Sequence, residues 1–161
     1  MLVHRKNDGA MLSSMLQLVS STHTTDRPYD RICVLHPIRT MAGLKTNDEE
    51  LNCIALGHEL LNQTDVSLTT LIRAGMSHRV ITGLVLLKEA PTLEETLDNI
   101  CTSTDTMLVG LQCLLDRGAM VSTEGLGKEK ARKIRGYHEG YMRIAGVLND
   151  MDLRRSLIGA T

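Results

Sequence analysis

The sequence predicts an all-α fold, a compact helical domain of about seven or eight helices. Apolar residues recur at the three- and four-residue spacings of an amphipathic helix in one segment after another. Strand signals are scarce, because apolar and polar residues do not alternate convincingly and no Asn-Gly or Asp-Gly turn separates apolar runs. The chain has no Trp, no Phe and only three Tyr residues, so its core must be built mainly from aliphatic side chains and Met. Such a core suits helix packing better than a strand-rich sandwich.

Eight segments carry the helical pattern. They cover residues 9–21, 36–44, 45–62, 64–75, 77–89, 92–100, 103–120 and a long last stretch that ends near residue 150. Pro37 disfavours a helical conformation at His36 but suits a first helical turn, so His36 should stand at the entrance of the second helix. Thr92 and Glu95 form a capping box at the start of the sixth. A short tail, residues 151–161, should follow the last helix.

Length and composition indicate one domain over residues 1–161. Apolar residues make up 42% of the chain and charged residues 23%, as in ordinary globular proteins. The formal net charge of −1 provides no global field toward nucleic acid or an anionic membrane. No signal sequence opens the chain, and no run approaches the ~18 apolar residues of a membrane span. We expect a cytoplasmic protein that binds neither membrane nor nucleic acid, while a homo-oligomer or a protein partner stays open.

The four cysteines are expected to be reduced thiols, most of them buried. They are Cys33, Cys53, Cys101 and Cys113. Their wide spacing, the lack of a C-x-x-C pair and their apolar surroundings favour thiols over disulfides.

Two of the six histidines occupy positions suited to metal chemistry. His58 lies on one helical stripe with Leu51 and Ala55, so its side chain should point inward. His36 begins the preceding helix, and antiparallel packing of the two helices would bring the imidazoles together. With Glu59 they make a partial ligand set for a divalent cation. A buried, hydrogen-bonded histidine without a metal would show the same spacing, so both interpretations stay open.

The other four histidines are expected at the surface. His4 and His23 fall in polar stretches near the terminus or in a loop. His78 starts a helix, and His138 lies on a charged helical face.

Four short motifs follow one another in a fixed order: RPY, HPIRTMAGL, IALGHELLNQTDVSLTTLI and VITGLVLL. In order and spacing they resemble the opening half of the HD-domain hydrolases related to RelA and SpoT, especially the small hydrolase-only members. The residues in register with the family's second motif are Ala55, Leu56, His58, Thr64 and Ser67, whereas Gly57 replaces a leucine. The helices STDTMLVGLQCLLDRGAM and KEKARKIRGYHEGYMRIAGVLND resemble the family's last ligand helix and closing helix. The likeness is strongest over residues 26–148.

The resemblance implies an HD-domain-like fold that holds one divalent cation, usually manganese. Family members remove the 3'-pyrophosphate from guanosine tetra- and pentaphosphate, so a guanine nucleotide or a related small nucleotide is the implied substrate. The cation lowers the pKa of a bound water and polarises a phosphorus–oxygen bond. Carried over to this chain, His36, His58 and Glu59 would be metal ligands.

The resemblance also assigns residues that bind substrate. Arg27 and Arg31, which flank Tyr29, occupy the place where the family keeps basic residues for the base and phosphates. Arg117 stands where the family has an asparagine. Solvated loop arginines would explain Arg27 and Arg31 equally well.

This chain departs from the family pattern at its acidic positions. Glu59 replaces an aspartate, and its extra methylene moves the carboxylate by about 1.5 Å. Asn62 and Gln63 replace an acidic catalytic pair, so they can orient a water or a phosphate oxygen but cannot act as carboxylate bases. For the fourth ligand, an ungapped alignment uses Cys113 and a gapped one uses Asp116. A cysteine ligand would shift the metal preference toward zinc.

Two functions follow, and the sequence leaves them balanced. The first is a metal-dependent phosphohydrolase acting on a nucleotide pyrophosphate. The second is a degenerate HD-domain protein, without turnover and without a cofactor, that binds a nucleotide or another protein. A third hypothesis is a structural helical protein that resembles the family only in how its helices pack. A stand-alone domain with altered motifs would also suit a phage or mobile element.

Overall fold

A computed structural model describes residues 9–23, 33–122 and 127–159, and these residues form helices and no strand. The helices are α1 (Ala10–Thr22), α2 (Leu35–Leu44), α3 (Glu49–Gly57), α4 (Leu60–Gln63), α5 (Leu68–Arg73), α6 (His78–Leu86), α7 (Leu93–Ile100), α8 (Thr104–Ser122) and α9 (Lys128–Gly159). The all-α prediction is confirmed. No helix among these residues has both the length and the apolar character that crossing a membrane requires.

Polar side chains cap the starts of four helices. Asp48, Ser67, Ser77 and Thr92 precede α3, α5, α6 and α7, and each accepts a hydrogen bond from the backbone N–H three residues later. Such a cap contributes about 1 kcal/mol. The predicted cap at Thr92 is therefore confirmed.

The prediction of one continuous helix over residues 45–62 is wrong, because the chain turns at His58 and Glu59. The Nδ1–H of His58 donates to the backbone carbonyl of Ala55 over 2.6 Å. In a continuing α-helix this carbonyl would accept from the amide of Glu59. The imidazole thus takes over the last helical acceptor, and α3 ends immediately before it.

The predicted tail after residue 150 is also wrong, because α9 continues to Gly159. Leu148 and Met151 pack against a small core cluster that includes Ile144. The apolar face of the helix therefore extends past the predicted end, and no proline follows to stop it.

The main core lies around α3, which packs against α1, α2, α6 and α8. Its buried members include Met15, Val19, Ile54, Leu56 and Leu84. The helix α8 also packs along α2 and α9. The periodicity of residues 103–120 predicts a buried stripe of Leu108, Leu111, Leu114 and Leu115, and this prediction is wrong at Leu115, which is 49% exposed. Because α3 is central and ends at His58, this histidine lies at the edge of the main core.

An ion-pair network joins α3, α6 and α8 at the N-terminal end of α3. Arg79 donates to the carboxylates of Asp48, Glu50 and Asp105 at 2.8–3.1 Å. Burial opposes ionisation of Asp48, but hydrogen bonds from Arg79 and from the amide of Leu51 hold its pKa below the ordinary value. The same carboxylate therefore caps α3 and binds Arg79.

Candidate metal centre

His36 and His58 meet inside the protein, where α2 begins and α3 ends. Their Nε2 atoms lie 3.2 Å apart, and the rings pack edge to face. Both side chains are buried. The expectation that these two imidazoles would meet is confirmed.

The Nδ1 atom of each ring is already engaged by an acceptor. His58 Nδ1 donates to the Ala55 carbonyl, and His36 Nδ1 lies 2.6 Å from Oδ2 of Asp116. Burial opposes ionisation of Asp116, but hydrogen bonds from Arg39 and His36 hold its pKa below the ordinary value. The ionised carboxylate can only accept, so both rings carry a proton on Nδ1. Metal-bound histidines typically give their second ring N–H to a carboxylate or a carbonyl in this way.

The two Nε2 atoms therefore need a proton or a cation between them. Burial lowers the pKa of His58, so its ring is neutral near pH 7 and its Nε2 presents a lone pair. If His36 is neutral too, two lone pairs face each other at 3.2 Å. A proton on His36 Nε2, or a cation shared by both atoms, would remove the repulsion.

Cys113 on α8 brings a third donor atom to the same place. Its Sγ lies 3.4 Å from Nε2 of His36. The ligand atoms of His36, His58 and Cys113 all lie within 4.8 Å of one another, and this group could hold a metal ion. All four cysteines are free thiols, as expected, but only Cys53 is fully buried, where burial raises its pKa to about 12. The expectation that most of the cysteines are buried is wrong.

Glu59 and Asp116 take different places around His36. Glu59 is buried, its Oε1 accepts from Arg117 at 2.9 Å, and the same oxygen lies 3.8 Å from His36 Nε2. Burial opposes ionisation of Glu59, but neighbouring histidines and Arg117 hold its pKa below the ordinary value. Asp116 lies at the opposite edge of the His36 ring and also accepts from Arg39. Of the two candidates for the fourth ligand, Cys113 faces the other donors and Asp116 orients a ring.

The expectation that His23 lies at the surface is wrong. Its side chain is 0% exposed, and its Nε2 lies 3.6 Å from Oε2 of Glu59. A usable signal exists in the sequence, since Met15, Val19 and His23 follow one another at intervals of four residues. Both apolar members of this stripe are fully buried, so the stripe predicts an inward His23.

The remaining candidate residues are distributed as follows. The Asn62 amide bridges backbone groups, with Oδ1 accepting from the amide of Glu89 at 2.9 Å and Nδ2 donating to the carbonyl of Leu87 at 3.4 Å. Gln63 is exposed and lines the cavity described next. The predicted substrate-binding residues Arg27, Tyr29 and Arg31 lie outside the described residues.

A cavity of about 360 Å³ adjoins the donor atoms. His58, Glu59 and Cys113 form part of its wall, and cationic side chains come from Arg117 on α8 and from Arg132 and Lys133 on α9. Aliphatic side chains make up much of the remaining wall: Leu87, Leu93, Leu97, Ile100, Val109 and Leu114. The cavity thus combines apolar walls with the positive charges of Arg117, Arg132 and Lys133 and the carboxylates of Glu59 and Glu89.

Comparison with known proteins does not place the chain in a family. No model of a known protein family matches the sequence, and no curated protein matches it. The likeness to HD-domain hydrolases therefore stays a prediction from the motifs in the sequence.

Proposed function

We propose that this protein is a metal-dependent phosphohydrolase that acts on a nucleotide pyrophosphate such as guanosine tetraphosphate. The observation that carries the proposal is the pair of Nε2 atoms of His36 and His58, which face each other while both Nδ1–H groups are engaged elsewhere. Histidines arranged in this way are oriented to bind one cation.

The donor set favours zinc over the manganese implied by the family. Zinc bonds of about 2.0 Å to nitrogen and about 2.3 Å to sulfur, at tetrahedral angles of about 109°, separate two nitrogens by roughly 3.3 Å and nitrogen from sulfur by roughly 3.5 Å. The corresponding distances here are 3.2 Å between the imidazoles and 3.4 Å from His36 to Cys113. Three protein ligands with a fourth position open are typical of catalytic zinc. Two of the three donor separations therefore match tetrahedral zinc, and all three donor atoms lie within 4.8 Å of one another.

The bound cation would supply Lewis acidity toward a phosphoryl oxygen. Asp116 keeps the His36 ring in the tautomer that presents Nε2, and the Ala55 carbonyl does the same for His58. Arg117, Arg132 and Lys133 would bind the phosphate oxygens, and the aliphatic walls would exclude bulk water from the reaction. The Asn62 amide already serves backbone groups, so we assign the orientation of the attacking water to Gln63, which lines the cavity.

A second candidate function is nucleotide binding without turnover. Among the described residues, Glu59 and Glu89 are the carboxylates that line the cavity. Glu59 is paired with Arg117, and Glu89 is exposed, so neither is arranged as a strong general base. A protein-interaction role would follow if the cavity held no nucleotide.

Metal analysis followed by an assay tests the proposal. The protein is purified without chelator, its zinc and manganese are measured, and release of pyrophosphate from guanosine tetraphosphate is followed with each metal added. We expect about one zinc per chain and pyrophosphate release, both lost in His58→Asn, whose amide can still donate to the Ala55 carbonyl. His138→Ala removes an exposed histidine of α9 and serves as the matched control. Metal and nucleotide binding without release would favour the second candidate, and absence of metal would refute the metal centre.

A further inference from the structure

His23 is a third buried histidine directed at the candidate metal centre. It follows α1, whereas His36 and His58 lie on α2 and after α3. Its Nδ1 lies 2.9 Å from the hydroxyl of Thr22, and in the tautomer where that hydroxyl donates to Nδ1 the ring proton lies on Nε2. Its Nε2 points at Oε2 of Glu59, 3.6 Å away, and has no hydrogen-bond partner within the described part of the chain.

Core packing alone does not account for this arrangement. An apolar residue would continue the stripe of Met15 and Val19 without leaving a polar nitrogen in the interior, where an unsatisfied polar group is costly. The position instead brings an imidazole to the carboxylate oxygen of Glu59 that does not accept from Arg117. Arg117 binds Oε1, and His23 meets Oε2. The carboxylate thus lies between Arg117 of α8 and His23 at the end of α1.

We infer that His23 is a positioning residue of the metal centre, which fixes the carboxylate of Glu59 so that Oε1 stays turned toward Nε2 of His36. This inference rests on the proposed metal site, because the orientation of Glu59 can affect metal binding only if a cation binds beside it. Groups that orient metal ligands from outside the coordination sphere typically change metal affinity by about 10–100-fold. Glu59 is the carboxylate that the resemblance implies as a further metal ligand, so His23 acts on the cation only through Glu59.

The test measures zinc affinity of the metal-free protein by competition with a chromophoric chelator, together with the absorption spectrum of the cobalt-substituted protein. His23→Leu fills the space without a donor, while His23→Gln places an amide nitrogen where Nε2 lies. We expect His23→Leu to weaken zinc binding by about 10–100-fold and to alter the cobalt spectrum. We expect His23→Gln to retain most of the affinity.

A double substitution separates positioning from a general structural role. If His23 acts through Glu59, His23→Leu should have little further effect on zinc affinity in a Glu59→Gln background. An undiminished effect there, or wild-type affinity and spectrum in His23→Leu itself, would overturn the inference.

If the wild-type protein binds neither zinc nor cobalt, the proposed metal centre fails. The contact between His23 and Glu59 is then judged in the metal-free protein by thermal unfolding of the single and double variants. Additive changes in melting temperature would show that the two residues are not coupled, and would overturn the inference as well.

Discussion

Replacing Gly136 with leucine should close the cavity without unfolding the protein. Gly136 lies on α9 and lines the cavity together with Lys133, Tyr137 and Gly140, which occur on the same face of the helix. A Cβ atom at Gly136 would meet no other atom within 4 Å. The leucine side chain can therefore enter the space that a ligand would occupy.

Stability should rise slightly. Leucine is better than glycine inside a helix by about 0.8 kcal/mol, and no overlap opposes this gain. For a chain of this size, that corresponds to an increase in melting temperature of about 2–3 °C. Gly146 is the matched control, because it lies in α9, is exposed, does not line the cavity, and its Cβ would also meet nothing within 4 Å. Gly146→Leu should gain the same stability.

Ligand binding should distinguish the two variants. Calorimetric titration with guanosine tetraphosphate should show binding to the wild type and to Gly146→Leu, and weakening on the order of 10–100-fold in Gly136→Leu. Thermal unfolding monitors stability in parallel. Equal nucleotide affinity in the two leucine variants would refute the assignment of the cavity as the substrate site, and a fall in the melting temperature of Gly136→Leu would refute the packing argument.

Three further outcomes are expected. Zinc at 100 times its dissociation constant should stabilise the protein by about 2.7 kcal/mol, which raises the melting temperature by about 5–10 °C. Scanning calorimetry should show this increase abolished in Cys113→Ala but retained in Cys101→Ala. Gly83→Ala should destabilise the protein by about 1 kcal/mol in a urea titration. The added Cβ atom would lie 2.7 Å from Cδ1 of the buried Ile54, and this overlap outweighs the gain in helix propensity. The folded-state pKa of Asp48 is lowered, so its carboxylate adds to the free energy of unfolding above its ordinary pKa of about 4. This contribution is lost as pH falls through the folded-state pKa. Asp48→Asn should therefore reduce the loss of stability measured between neutral and acidic pH. The same loss of stability in the variant and the wild type would contradict this account.

Features encoded by neighbouring residues could be predicted from the sequence. Pro37 and Thr92 act within one helical turn of themselves, and the starts of α2 and α7 lie within two residues of the predicted positions. The meeting of His36 and His58 could also be predicted, since it needed only two successive helices. The break at His58 could not be predicted, because it depends on a side chain competing with a backbone amide for one carbonyl.

The outer parts of the site depend on contacts between distant parts of the chain. Asp116 and Cys113 lie on one helix within one turn of each other, so periodicity could not decide which faces the donors. Their roles are set by how α8 packs along α2, which puts Cys113 at one edge of the His36 ring and Asp116 at the other. The polar residues that follow His23 favour a loop there, although the apolar stripe of α1 extends to it.

The hydrogen bond from His58 to the Ala55 carbonyl means that one proton determines both where a helix stops and which nitrogen is available to a metal. A cation bound at Nε2 would favour the tautomer with its proton on Nδ1, and would thereby strengthen the end of α3. Conversely, a His58→Ala substitution would return the carbonyl to the backbone ladder and favour a helix running on through Glu59. Such a variant would lose a metal ligand and extend α3 at the same time. Metal affinity and the folding of this turn are therefore parts of one linked equilibrium.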